Sequence, residues 1–240
     1  MGAVEDVVYQ RLEEKMLKYS DYADVDVIPA EEPVLFEALR SQGVLQVRHL
    51  DQDMVPFTGE AIYVRRPLVD LLYWAGQELK TLDRTLTLRV IYGFRALEVQ
   101  ARLFDQAKAA LQEQYPDDDE RTEAAHRHIA VPSVAGRPTG GAVGVDLLRD
   151  GSPVELGSPV LATSRDSFTF SPFISRTAWE NRQLLRRAMM AAGFAPYDGE
   201  WWHFSYGDKE WARYHRKPGA LYAQVSLADA QKVDPDELRL

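Results

Sequence analysis

The sequence predicts a single α+β domain. Segments with apolar residues at helical spacing alternate with short β-branched runs of period two. No internal repeat and no linker-like stretch divides the 240 residues. The composition, 45% apolar and 27% charged, is that of a chain able to bury a sizeable core.

Taken in order, Val4, Val7, Val8, Leu12, Met16 and Leu17 recur at helical spacing among acids and lysines, which predicts an amphipathic helix over 4–18. Residues 30–39 are expected as a helix, and 44–50 alternate like a strand. Leu68, Leu71, Leu72, Ala75 and Leu79 share one helical face, with Pro67 in the first turn, so a helix runs over 67–82. The run TLTLRVIY at 85–92 reads as the clearest strand, broken by Gly93, and 97–115 reads as a further helix. The charged stretch PDDDERTE at 116–123 is expected as a solvated loop or helix end. Two prolines, three glycines and a serine make 129–141 a loop before a strand at 142–148. Asp150-Gly151 reads as a turn into a strand at 154–156, and 178–192 as a helix stopped by Gly193. The aromatic segment 201–206 closes the core as a strand.

Charge and residue usage narrow the function. There is no cysteine, which excludes disulfides, thiol nucleophiles and cysteine-ligated metal, and fits a reducing, cytoplasmic setting. A formal charge of −9 argues against nucleic acid as the partner, because phosphate binding needs clustered Lys and Arg. No window approaches the ~20 apolar residues of a membrane span, so no membrane partner is expected. Met1-Gly2 opens like a myristoylation site, but Asp6 stands where Ser or Thr is needed.

Chemistry concentrates at EWWHF, residues 200–204. It sets a carboxylate three residues from an imidazole among aromatics that keep water scarce, a pairing suited to proton transfer beside a metal ligand. Alone, such spacing is common, and a buried histidine usually bonds a backbone carbonyl. Together with NRQLLRRAMMAAGFAPY (181–197) before it and Tyr206-Gly207-Asp208 after it, the segment resembles the VanX-like D-Ala-D-Ala dipeptidases, zinc peptidases that cleave a small dipeptide. Upstream, Tyr92-Gly93-Phe94-Arg95 is similar to that family's arginine motif. Thr139 to Val143 is similar to the start of its metal strand, and Val154 to Gly157 to its substrate-binding turn. The resemblance implies a central, mostly antiparallel sheet flanked by helices. It divides the chain into an N-terminal helix (1–19), a family domain (20–225) and a C-terminal tail (226–240).

The resemblance assigns Glu200 as general base, Arg95 as the group that stabilises developing negative charge, Glu155 as the acid that binds a substrate amine, and His203 as a zinc ligand. It also locates a departure. The family's metal strand reads H-x-x-G-x-A-x-D. Anchored on Gly140 and Ala142, it puts Arg137 at the histidine and Gly144 at the aspartate, leaving His203 as the one retained ligand. A guanidinium stays protonated and repels a cation. A two-residue insertion after Ala142 would make Asp146 the aspartate, and His126 and His128, spaced to share a strand face, could substitute for the histidine.

These positions predict a metal-free, charged pocket for a small amino-acid or dipeptide-like substrate. Glu200 and His203 are expected to move protons, with His203 titrating near neutral pH. Arg95 and Arg137 hold a carboxylate or oxyanion, and Glu155 or Asp146 an amine, with Asp146 balancing Arg137. No cofactor is expected, and elimination, isomerisation or cyclisation is favoured over hydrolysis. The alternatives are an active D-Ala-D-Ala dipeptidase with relocated zinc ligands and a non-catalytic binding protein that keeps the pocket for sensing.

Overall fold

The computed structural model describes residues 2–28, 36–226 and 228. The chain begins with α1 (Ala3–Glu13), α2 (Tyr19–Tyr22), β1 (Phe36–Ala38), β2 (Leu45–Val47), α3 (Val55–Thr58) and β3 (Tyr63–Arg65). The middle holds α4 (Arg66–Leu82), β4 (Leu86–Tyr92), α5 (Leu97–Ala110), α6 (Asp118–His126) and β5 (Ala142–Arg149). Last come β6 (Ser152–Pro153), α7 (Arg176–Ala191), β7 (Ala195–Pro196), β8 (His203–Ser205) and α8 (Lys209–Tyr214).

The main sheet has the order β2-β4-β5-β8-β7, with β6 on β5, and only β2 and β4 run parallel. β1 and β3 form a separate antiparallel ribbon. One face of the sheet carries Leu86, Leu88 and Val90 of β4, Val143, Val145 and Leu147 of β5, and Phe204 of β8. Against it lies the stripe Leu68, Leu72, Ala75 and Leu79 of α4, joined by Leu185, Ala188 and Met189 of α7. Burying each large aliphatic side chain contributes roughly 1.5–3 kcal/mol, so this layer dominates stability. The helix ends are set locally. Pro67 sits in the first turn of α4, Ser175 Oγ accepts from Ala178 N at 3.0 Å, and Gly193 takes φ 92° just past α7.

Strict alternation along β4 breaks once. Val90 pairs with Val145, but Tyr92, not Ile91, pairs with Gly144, so a β-bulge inserts one residue. Residues 86, 88 and 90 face the helices, and the bulge turns Tyr92 to the other face. Arg89, Asp146, Gly144 and His203 lie there too. β2 feeds the same region: beyond its end, Arg48 and Leu50 donate to the carbonyls of Val90 and Ile91, delivering Asp51 beside Gly93. The N-terminal helix is tied on through Tyr9, buried between Phe168 and Phe173 and donating to Asp166 at 2.6 Å.

Several local expectations give way. Of the helix expected over 30–39, residues 30–35 lie outside the described residues and 36–38 are β1, whose pairing with β3 outweighs local propensity. The acidic stretch 116–123 is largely α6, because Asp117 caps it by accepting from Asp119 N and Glu120 N, and acids in the first turn suit the helix dipole. The strand after the Asp150-Gly151 turn is 152–153 rather than 154–156, though Val154 N still donates to Leu147 O. Among the described residues, no helix is long and apolar enough to cross a membrane.

Candidate active site

The face of the sheet opposite the core opens into a cleft of about 640 Å³, open solvent at its mouth included. Arg95, Arg137, Glu200, His203, Tyr92 and Glu210 all line it. The structure thus brings together Arg95, Arg137, Glu200 and His203 of the residues singled out in the sequence, places His126 and His128 in the same lining, and adds Tyr92 and Glu210.

The positive end is built around Asp51. Arg95 donates to its Oδ2 from Nε at 3.3 Å and Nη2 at 3.2 Å, and Arg137 Nη2 donates to the same oxygen. Arg95 is steadied by Gln100, which accepts from Nη1 at 3.1 Å, and Arg137 by the carbonyl of Gly93 at 3.0 Å. Burial alone would raise the Asp51 carboxyl, but the guanidinium charges of Arg137 and Arg95 hold it well below the usual carboxylate range. Burial, followed by repulsion from Arg137, draws Arg95 down to about 10, so it stays charged at neutral pH.

Beside this end, the Arg137 guanidinium lies 4.0 Å from the centre of the Tyr92 ring. The ring covers Gly144 so closely that a β-carbon there would overlap it. The Tyr92 hydroxyl sits 3.0 Å from His203 Nδ1. Burial, then the charges of Arg137 and Arg95, lowers His203 to about 3, so its ring is neutral at physiological pH rather than titrating near 7. Burial raises Glu200 to about 7, with Arg95 and Arg137 pulling the other way. Of the pair, Glu200 is the group that changes protonation near neutrality.

Glu155 and Asp146 lie elsewhere. Glu155 is exposed and accepts from Ser175 Oγ at 2.7 Å, outside the cleft lining. Asp146 does share the face of Gly144, but it is gripped by Arg89, with Nε donating at 2.8 Å, and so balances that arginine rather than Arg137. The cross-strand register decides this, since Arg89 stands opposite Asp146.

The two upstream histidines also differ from the strand-face expectation. His126 is the last residue of α6, and His128 lies in the turn beyond it. His126 is buried; its Nδ1 accepts from Val131 N at 3.1 Å, so Nε2 carries the proton and donates to the Tyr22 hydroxyl at 2.7 Å. Both nitrogens are committed. His128 is exposed.

A catalytic zinc site needs about three protein ligands with a free position. Here a salt-bridged guanidinium, a glycine roofed by a tyrosine ring and one imidazole bonded to that tyrosine stand at the three positions to which the sequence resemblance assigns zinc ligands. These residues do not fit the ion. Among the described residues, no group of three or more His, Asp or Glu is placed to hold one.

Asp51, Tyr92 and Glu210 escaped the sequence reading as individual site residues. Asp51 and Glu210 belong to no motif used there, and Tyr92 entered only as the first letter of the arginine motif.

A family model described as D-ala-D-ala dipeptidase matches residues 79–219, and the chain belongs to that family. The D-alanyl-D-alanine dipeptidase of Synechocystis sp. is 28% identical over 207 residues, which cover 75% of this chain and 83% of that protein. Among solved structures, a variant of the vancomycin resistance D,D-pentapeptidase VanY in complex with Zn(II) is 18% identical with a TM-score of 0.42, covering 86% of this chain and 94% of that one. VanYB in complex with D-Alanine-D-Alanine is 19% identical with a TM-score of 0.42, covering 87% and 94%.

Proposed function

We propose that this member of the D-Ala-D-Ala dipeptidase family works without a metal, as an acid/base enzyme on a small amino-acid or dipeptide-like molecule. The observation that carries this reading is the stack Arg137–Tyr92–His203: the Tyr92 ring lies against the Arg137 guanidinium, covers Gly144 and bonds His203, and Arg137, Gly144 and His203 are the positions where the family pattern would place zinc ligands. The domain assigned to this function runs over 20–225, with α1 (Ala3–Glu13) preceding it.

The roles follow from charge. Two guanidiniums meet one carboxylate at Asp51, which leaves one net positive charge to attract a ligand carboxylate or an oxyanion. Glu200, raised to about 7, holds or releases a proton at neutral pH. Neutral His203, bonded to the Tyr92 hydroxyl, passes a hydrogen bond into the cleft without adding charge. Such a set suits a proton moved between two sites of one small molecule, as in isomerisation, elimination or cyclisation.

The test is calorimetry on chelator-treated protein. D-Ala-D-Ala titrated in the presence of EDTA is expected to bind, and zinc titrated alone is expected to show no one-to-one uptake. Zinc retained at one equivalent through dialysis, or dipeptide binding only after zinc is added, would overturn the reading.

A further inference from the structure

The cleft has an acidic end as well as a basic one. His203 stands between two carboxyl groups: Glu200 Oε2 lies 3.7 Å from Nδ1, and Glu210 Oε2 lies 3.9 Å from Nε2. Glu210 occupies the first turn of α8. That turn is fixed by Asp208, whose Oδ1 accepts from Trp211 N at 2.8 Å, and by the buried Trp211 and Ala212. Glu210 is 8% exposed, lines the cleft, and its Oε1 is buried with no hydrogen-bond partner.

A carboxyl so placed is costly. Burial raises Glu210 well above its ordinary value, and the neighbouring Asp208 and Glu200 charges add to the rise. Among the described residues Glu210 makes no ion pair with a Lys or Arg, and the His203 imidazole, 3.9 Å away, is neutral. An unsatisfied buried acid is unfavourable for the fold on its own, and the cleft that Glu210 lines is where a counter-charge can reach it. At the other end, Arg95 and Arg137 with Asp51 keep one net positive charge. The cleft is therefore bipolar, with a cationic end at the arginines and an acid end at Glu210.

We infer that Glu210 is the ammonium-binding residue of this cleft, so that the ligand is a zwitterion with its carboxylate on the arginine side and a free amine held by Glu210. This rests on the small-ligand reading given above and adds to it the polarity and free amine of the ligand. An incoming ammonium supplies from the cleft the positive charge that the Glu210 carboxyl lacks. Glu155, which the family resemblance assigns to the amine, is on the surface and engaged with Ser175.

Calorimetry with two probes tests it, using the full chain in EDTA buffer: D-Ala-D-Ala, and the same dipeptide acetylated on its amine. Wild type is expected to prefer the free amine by about tenfold or more, the range of a charge-assisted hydrogen bond. Glu210→Gln is expected to lose that preference because the free dipeptide weakens while the acetylated one does not. Glu210→Asp keeps the charge on a shorter arm and is expected to show an intermediate preference; it serves as the reporter if the Gln variant fails to fold by circular dichroism. A wild type that binds both probes equally, or a folded variant that retains the full wild-type preference, overturns the assignment of Glu210 alone. A wild type that binds neither probe overturns the small-ligand reading itself, and this inference with it.

Discussion

Tyr92 roofs Gly144. The two residues face each other across β4 and β5, and the ring lies where a side chain at 144 would have to go. Tyr92 is almost wholly buried and is held from above by Arg137 and at its hydroxyl by His203, so it has little freedom to withdraw.

It follows that rebuilding the family's zinc strand takes more than two substitutions. Arg137→His with Gly144→Asp is expected to lose stability by about 1–3 kcal/mol through overpacking, and to bind no zinc tightly. Adding Tyr92→Ala makes room for the carboxylate and frees His203 Nδ1, so zinc affinity should rise in the triple variant alone. Tight one-to-one zinc binding by the double variant would show that the ring is no obstacle.

Glu200 should leave a signature in stability against pH. Its folded value, about 7, lies above the ordinary 4.5, so the fold favours the protonated form. That contribution is complete below about pH 4.5 and is lost as pH rises through about 7, on the order of 3 kcal/mol in all. Glu200→Gln cannot titrate, so its urea midpoint should fall less than the wild type's between about pH 5 and 8. Parallel curves for the two proteins would place Glu200 in contact with solvent.

Asp51 is the counter-ion of two buried guanidiniums. Asp51→Asn leaves both unpaired and is expected to destabilise the fold by about 3–5 kcal/mol. Equilibrium urea unfolding reads the change, and a loss under about 1 kcal/mol would mean that solvent already screens the pair.

The Arg89–Asp146 pair is also buried, and it is self-contained. Asp146→Asn alone should cost about 3–5 kcal/mol, whereas replacing both partners by Met and Leu should recover most of it, since an apolar pair needs no desolvated charge. A double variant no more stable than the single one would tie Arg89 to a further acidic partner.

What could be read from the chain divides by range. α4, β4 and α7 announce themselves because one period of apolar residues fixes each, and Glu200 and His203 lie in one pentapeptide. The centre of the positive end was invisible for the opposite reason. Asp51 is 44 residues from Arg95 and 86 from Arg137, and only the extended pairing of residues 48–50 with β4 brings it there. The role of Asp146 is not legible in the chain because shared-face parity says which side a residue faces, not which cross-strand neighbour claims it. The character of His203 was misjudged because spacing carries no information about burial.

The bulge in β4 divides the labour along a single strand. Up to Val90 the strand answers to the packing of the helices, and any change is judged by core volume. From Tyr92 onward the frame has shifted, and the same strand answers to the cleft. Chemistry at position 92 can therefore drift, from a ring that plugs a site to a smaller residue that opens one, without asking anything of the hydrophobic layer that holds the domain together. One inserted residue gives the fold a place where function is separable from folding, and it is there that this lineage would be expected to diverge.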